Sequence, residues 1–241
     1  MLIATFCSLA AAKLQFFLHS AKEKQVKLSQ YAIFLLILHT IYANDAFTFI
    51  THKPDTNRPV TPNTDEQFGQ AISLCRDIFS KKLYDYKPSW RMLRPSSLTD
   101  QLFIKAKRIR TLEVTGKSLV GEGILPEFMA LINYGIVGLI QLEKGYADKV
   151  DMTNDEAMAL YDAHAKACVE LMRKKNHDYG EAWRDMRVSS YTDIILTKLE
   201  RIKEIEDKNG LTTVSEGIDS NIMDIINYST FAVIKLKIEK C

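Results

Sequence analysis

Cysteine is too sparse and too scattered to organise this chain. The four thiols, Cys7, Cys75, Cys168 and Cys241, form no CxxC pair. Cys75 and Cys168 each fall on the apolar stripe of a predicted helix, which predicts buried thiols in a reducing, cytoplasmic setting. Histidine is equally thin, with five in 241 residues, and that argues against a His-based zinc site. Nowhere does a strand-like alternation or a glycine-rich phosphate loop appear. Charge of one sign is also missing. A net charge of +2 argues against an extended nucleic acid as partner, although local basic clusters remain.

The N-terminal stretch stands apart. "YAIFLLILHTIYA", residues 31–43, is apolar but short of the roughly 20 residues that span a bilayer. Lysines before it and Ala43 after it resemble a signal-peptide core, yet thirty residues precede it, more than such a signal carries. No methionine lies between Met1 and Met92. Residues 1–60 are therefore expected to be an extension outside the working protein, with initiation nearer Val60; a membrane-associated leader is the other reading. The folded part is expected to need no membrane.

What the chain does have is itself, twice. "KKLYDYKPSWRMLRPSSLTDQLFIKAKRIR" from Lys81 returns as "KKNHDYGEAWRDMRVSSYTDIILTKLERIK" from Lys174. Asp85 pairs with Asp178, Tyr86 with Tyr179, Trp90 with Trp183, Arg91 with Arg184, and Arg94 with Arg187. Lys105 then pairs with Lys198, and Arg108 with Arg201, at a constant offset of 93. One inserted residue later, Glu122 pairs with Glu216, Asn133 with Asn227 and Tyr134 with Tyr228. A repeat sets the architecture before anything else is read. Repeat one spans 64–145 and repeat two 153–240.

Each repeat reads as three helices. From Asp65, Phe68, Ile72, Cys75 and Phe79 recur at helical spacing. The counterpart opens at Thr153 with Glu156 three residues on, a capping box. Gly180 permits a turn that Lys87 and Pro88 must make differently. Thr99 and Thr192 are expected to open the second helices. The third helices, about 125–143 and 220–238, are apolar nearly all round, which suits the centre of a bundle. Three helices are poorly placed to enclose such an element, and two repeats related by a pseudo-twofold can bury both. The predicted fold is all-α: tandem-duplicated three-helix repeats forming a pseudo-twofold helical bundle, with Asn133 and Asn227 near the axis. A further homodimer is left open.

Four groups of residues could carry chemistry. Repeat two is rich in acids: Glu200 and Glu204 share a helix face, and Glu216, Asp219 and Asp224 surround the start of the third helix. Repeat one has Lys107, Thr111, Leu125 and Ala130 where Glu200, Glu204, Asp219 and Asp224 stand. Such carboxylates suit Mg²⁺ beside substrate phosphates, or else form a solvated face. If they crowd together unneutralised, Asp224→Ala is expected to stabilise the protein. Arg184, Arg187, Lys198 and Arg201 suit phosphate oxygens; alternatively they pair with Asp178 and Asp193, as Arg91 and Arg94 would with Asp85 and Asp100. Asn227 and Tyr228 lie in an apolar helix, and a buried amide must find a partner, either on a neighbouring helix or on a nucleobase edge. Tyr179 and Trp183 either stack on a base or anchor packing.

At "KNHDYGEAWRDMRVSSYTDIILTKLERIKEIED" and "SEGIDSNIMDIINY" the chain resembles the bacterial nucleotide modification associated domain 1 family, in two copies over roughly 64–240. That implies an association with nucleotide or DNA-base metabolism. More distantly, the "DYG" entry, the acidic helix and "D..NY" resemble the all-α nucleoside triphosphate pyrophosphatases, whose signature is ExxE followed by ExxD. Here Glu200 and Glu204 are spaced ExxxE, and Asn221 stands three before Asp224. This second resemblance implies Mg²⁺-dependent cleavage of a nucleoside triphosphate to monophosphate and pyrophosphate. Glu200, Glu204, Asp219 and Asp224 would hold the metal, with a carboxylate among Glu200, Glu204 and Asp224 orienting water. Asp178, Tyr179, Trp183, Arg184, Arg187, Lys198, Arg201, Asn227 and Tyr228 would hold the nucleotide. A non-catalytic nucleotide- or partner-binding module is the alternative.

Overall fold

A computed structural model describes residues 63–211 and 216–239 of the chain. The expectations for residues 1–60, and for Cys7 and Cys241, fall outside those residues. Repeat one supplies α1 (Thr64–Tyr86), α2 (Pro95–Thr115) and α3 (Leu125–Lys144). Repeat two supplies α4 (Asn154–Tyr179), α5 (Val188–Asp207) and α6 (Ile218–Val233), and a π-helical turn, Ile234–Ile238, prolongs α6. All the regular structure among the described residues is helical, with no strand among them.

Local chemistry explains the ends. Asn63 accepts a hydrogen bond from the Asp65 amide to start α1, and the Thr153–Glu156 capping box starts α4 as its residues predict. The two copies leave their first helices differently: Gly180 takes the left-handed conformation at φ 58°, ψ 39°, whereas Lys87 has φ 53° with an extended ψ of −175°, a strained state for a residue with a side chain. Thr99 and Thr192 do not open α2 and α5. Those helices begin earlier, at Pro95 and Val188; in α2 the proline fits the first turn, where its missing N–H is not needed.

The two threonines do something else. Thr99 Oγ1 donates to Glu206 at 2.8 Å, and Thr192 Oγ1 donates to Glu113 at 2.9 Å. Each residue of one bond is the repeat counterpart of a residue in the other. A contact made reciprocally is the mark of a twofold interface, here within one chain. Along α1 and α4, Phe79 stacks on Tyr161 with centroids 4.5 Å apart, while Arg76 holds Asp162 at 2.6 Å and Arg173 holds Asp65 at 3.0 Å. The two arms cover one core, in which Cys75 and Cys168 lie buried with thiols that burial pushes up to about 12.

At the centre α3 packs on α6. By length and composition α3 could cross a membrane, but most of it is buried inside the bundle. Close approach needs small residues: an added methyl at Gly135 would stand 2.6 Å from Ile226 Cγ1. The repeat-two residues at the matching places, Ser229 and Ala232 for Gly135 and Gly138, are small as well. Alanine at 135 gains about 1 kcal/mol of helix propensity, but overpacking against the buried Ile226 costs about 1–3 kcal/mol. Gly135→Ala is therefore expected to lower the unfolding free energy by roughly 1 kcal/mol. A chemical-denaturation midpoint that rises instead would show the crossing to be loose.

Candidate functional site

Glu200, Glu204, Asp219 and Asp224, the acids expected to hold a metal, do not share one place. Asp224, buried, is held by both Lys175 of α4 and Lys198 of α5, the latter at 2.8 Å. Glu204 is exposed beside Arg201 at 3.8 Å, and Glu216 is exposed with Lys198 4.0 Å away. Glu200 points to solvent from α5. Asp219, in the first turn of α6, instead borders a groove of about 510 Å³ with Glu143, His164, Ile205 and Met223. Among the described residues no group of three or more His, Cys, Asp or Glu side chains gathers where a metal ion could sit. The set that suits Mg²⁺ in sequence is thus divided between a lysine-bound buried carboxylate, a groove rim and open surface.

Lys175 is the residue that sequence reading passed over. It is the counterpart of Lys82, which is exposed. Burial works against its ammonium, but the bond to Asp224 outweighs that and holds its pKa above the ordinary lysine value. The signal available was its place in the repeated stretch from Lys174, where both copies carry a pair of lysines.

Three of the other expected binding residues, Trp183, Arg184 and Tyr228, are occupied in packing. Trp183 is 5% exposed and stacks flat on Phe231, with centroids 4.4 Å apart and planes at 6°. Tyr228 joins the same aromatic group, 6.0 Å from Tyr191. Arg184 lies over the Trp183 ring and bonds Thr64, Gln67, Glu181 and Glu239. The arginines do not pair with the aspartates expected. Arg91 is buried and forks onto Asp151 at 2.8 and 3.1 Å, Asp178 is exposed beside His177, and Asp193 pairs with Arg110 across the interface. Arg187 stands exposed at the N-cap of α5. Tyr179 is 72% exposed, so of the two aromatics expected to stack on a base only Trp183 is committed to the core.

The asparagines differ most between copies. Asn133 donates to the Cys75 carbonyl at 3.1 Å and accepts from the Tyr161 hydroxyl at 2.8 Å. Asn227 is 4% exposed, yet neither its nitrogen nor its oxygen has a hydrogen-bond partner. Tyr161 explains half of that, because its repeat-one counterpart is Phe68, which has no hydroxyl to donate to Asn227. Asn227 lies one helical turn from Asp224 on the same face of α6. One face of α6 therefore carries a lysine-bound carboxylate and, a turn away, an unpartnered buried amide.

No curated protein and no solved structure matches the chain. The model of one family, nucleotide modification associated domain 1, matches residues 82–142 and again 175–236. Those two matches cover about half of the chain and fall on the two copies, one on each side of the pseudo-twofold. The chain belongs to the nucleotide modification associated domain 1 family and carries the domain twice.

Proposed function

We propose that repeat two binds a nucleotide, with its phosphates on Lys175, Lys198 and Arg201 and its base edge on the amide of Asn227. The observation that carries this reading is the contrast between the two asparagines. A buried polar group without a partner costs about 1–3 kcal/mol, and in repeat one both the nitrogen and the oxygen of the same residue have a partner. An amide offers a donor and an acceptor side by side, the pattern that a base edge complements. Asp224 keeps the two lysines in place until an anion arrives.

Cleavage is not part of the proposal. Lys175 and Lys198 take the oxygens of Asp224, and Glu200, Glu204 and Asp219 are exposed elsewhere, so the donors as arranged do not fit a Mg²⁺ ion. The expected result is nucleoside triphosphate binding by calorimetry in EDTA, at one site per chain. Lys175→Ala should weaken it at least tenfold, about the 1.4 kcal/mol that one charge-assisted bond supplies. Failure of every nucleoside triphosphate and of inorganic pyrophosphate to bind, with and without Mg²⁺, would sink the reading.

A further inference from the structure

The groove bordered by Asp219 has walls that are mostly apolar, Ile205, Ile218 and Met223 among them, and its volume of about 510 Å³ is that of a small-molecule site. Three polar side chains line it as well: Glu143, His164 and Asp219. The matching positions of the other copy read differently. Ala71 stands for His164, Leu74 for Ala167, Leu125 for Asp219 and Lys237 for Glu143. Ile124 and Met129, by contrast, repeat Ile218 and Met223 unchanged. The acids, the imidazole and the short alanine in the wall therefore occur together, at one end of the bundle only.

Charge decides what this groove can take. Glu143 is held by His164 at 3.1 Å and by Lys144 at 2.8 Å, whereas Asp219 has no ion-pair partner among the described residues. A carboxylate at the rim turns away a phosphate but accepts hydrogen bonds from hydroxyl and amino groups. The cations lie farther along. Lys175 is eight residues beyond Ala167 on α4, roughly 12 Å along the helix, and its partner Asp224 directly follows Met223 on α6. Met223 also stands one helical turn before Asn227. An apolar recess with an acceptor for hydroxyls, set beside lysines, has the polarity of a nucleotide: neutral and flat at one end, anionic at the other.

We infer that the groove seats the nucleoside part of the ligand, with Asp219 accepting hydrogen bonds from the ribose hydroxyls and the phosphates directed towards Lys175 and Lys198. This rests on the nucleotide-binding reading above. It assigns the substitutions around Ala167 a purpose, which is to make room for a sugar and a base where the other copy carries leucine.

Ala167→Leu tests it on the full chain. The position is exposed on α4, and leucine already stands at the same place in repeat one, so the fold is kept. Calorimetric titration should show nucleoside triphosphate binding weakened about tenfold or more, with inorganic pyrophosphate bound as by the wild type. Asp219→Leu, which also restores the repeat-one residue, should give the same split. A folded Ala167→Leu protein that binds nucleoside triphosphates as the wild type does overturns the inference and leaves the nucleotide reading standing. Equal loss of pyrophosphate overturns it too, since the leucine then disturbs the phosphate end. If Ala167→Leu does not fold, Asp219→Leu decides alone by the same two titrations. A wild type that binds neither probe overturns both readings together.

Discussion

Asp224→Ala is expected to destabilise the fold by about 2–3 kcal/mol. The carboxylate is nearly inaccessible, and it faces two ammonium groups, one at 2.8 Å. Removing one partner of a buried pair costs about 3–5 kcal/mol when the charge left behind stays buried. Here the lysine side chains are 42% and 26% exposed, so each can swing towards water, and the cost falls to the lower end. For a folded unit of this size the melting temperature should drop by roughly 5–10 °C. Sequence alone predicts the opposite sign, since a cluster of carboxylates would gain by losing one. The lysines reverse it. Differential scanning calorimetry of the variant decides, and an unchanged or raised midpoint would mean that the acids repel one another after all.

The second large effect is a contrast between two identical substitutions. Asn133→Leu strips a hydrogen bond from the Tyr161 hydroxyl and another from the Cys75 carbonyl. Tyr161 is fully buried, so its hydroxyl has no water to turn to, and an orphaned buried group costs about 1–3 kcal/mol. With the lost bonds, a destabilisation of about 2–3 kcal/mol is expected. Asn227→Leu removes an amide that has no partner to lose. It should leave stability unchanged or raise it by about 1 kcal/mol, while flattening any preference among nucleobases and sparing pyrophosphate binding. Denaturant unfolding of both variants checks the first part, and competitive titration with the four bases checks the second. Equal destabilisation by the two substitutions would show that Asn227 is bonded in solution and would remove the main support for base recognition.

Much of this protein is legible in one dimension. The constant offset between the copies, the helical spacing of Phe68, Ile72 and Cys75, the capping box at Thr153 and the all-round apolar third helices together dictate an all-α internal dimer. They do so because periodicity and capping are local properties that the chain carries residue by residue. What the sequence could not show is which charges meet. Thr99 and Thr192 look like helix openers, yet they are interface donors, because α2 and α5 begin several residues earlier, at Pro95 and Val188. Glu200, Glu204, Asp219 and Asp224 look like one site because they are acids absent together from repeat one. Helix rotation sends them in different directions, and only Asp224 faces inward. Lys175, distant in sequence from its counter-charge, was invisible as a partner. The loss of symmetry at Asn227 depends on a tyrosine that is phenylalanine in the other copy, at positions on a different helix of the other repeat. Local pattern therefore determined the helices and their twofold order, while pairing across helices, which depends on rotation and approach in three dimensions, was decided by the tertiary structure alone.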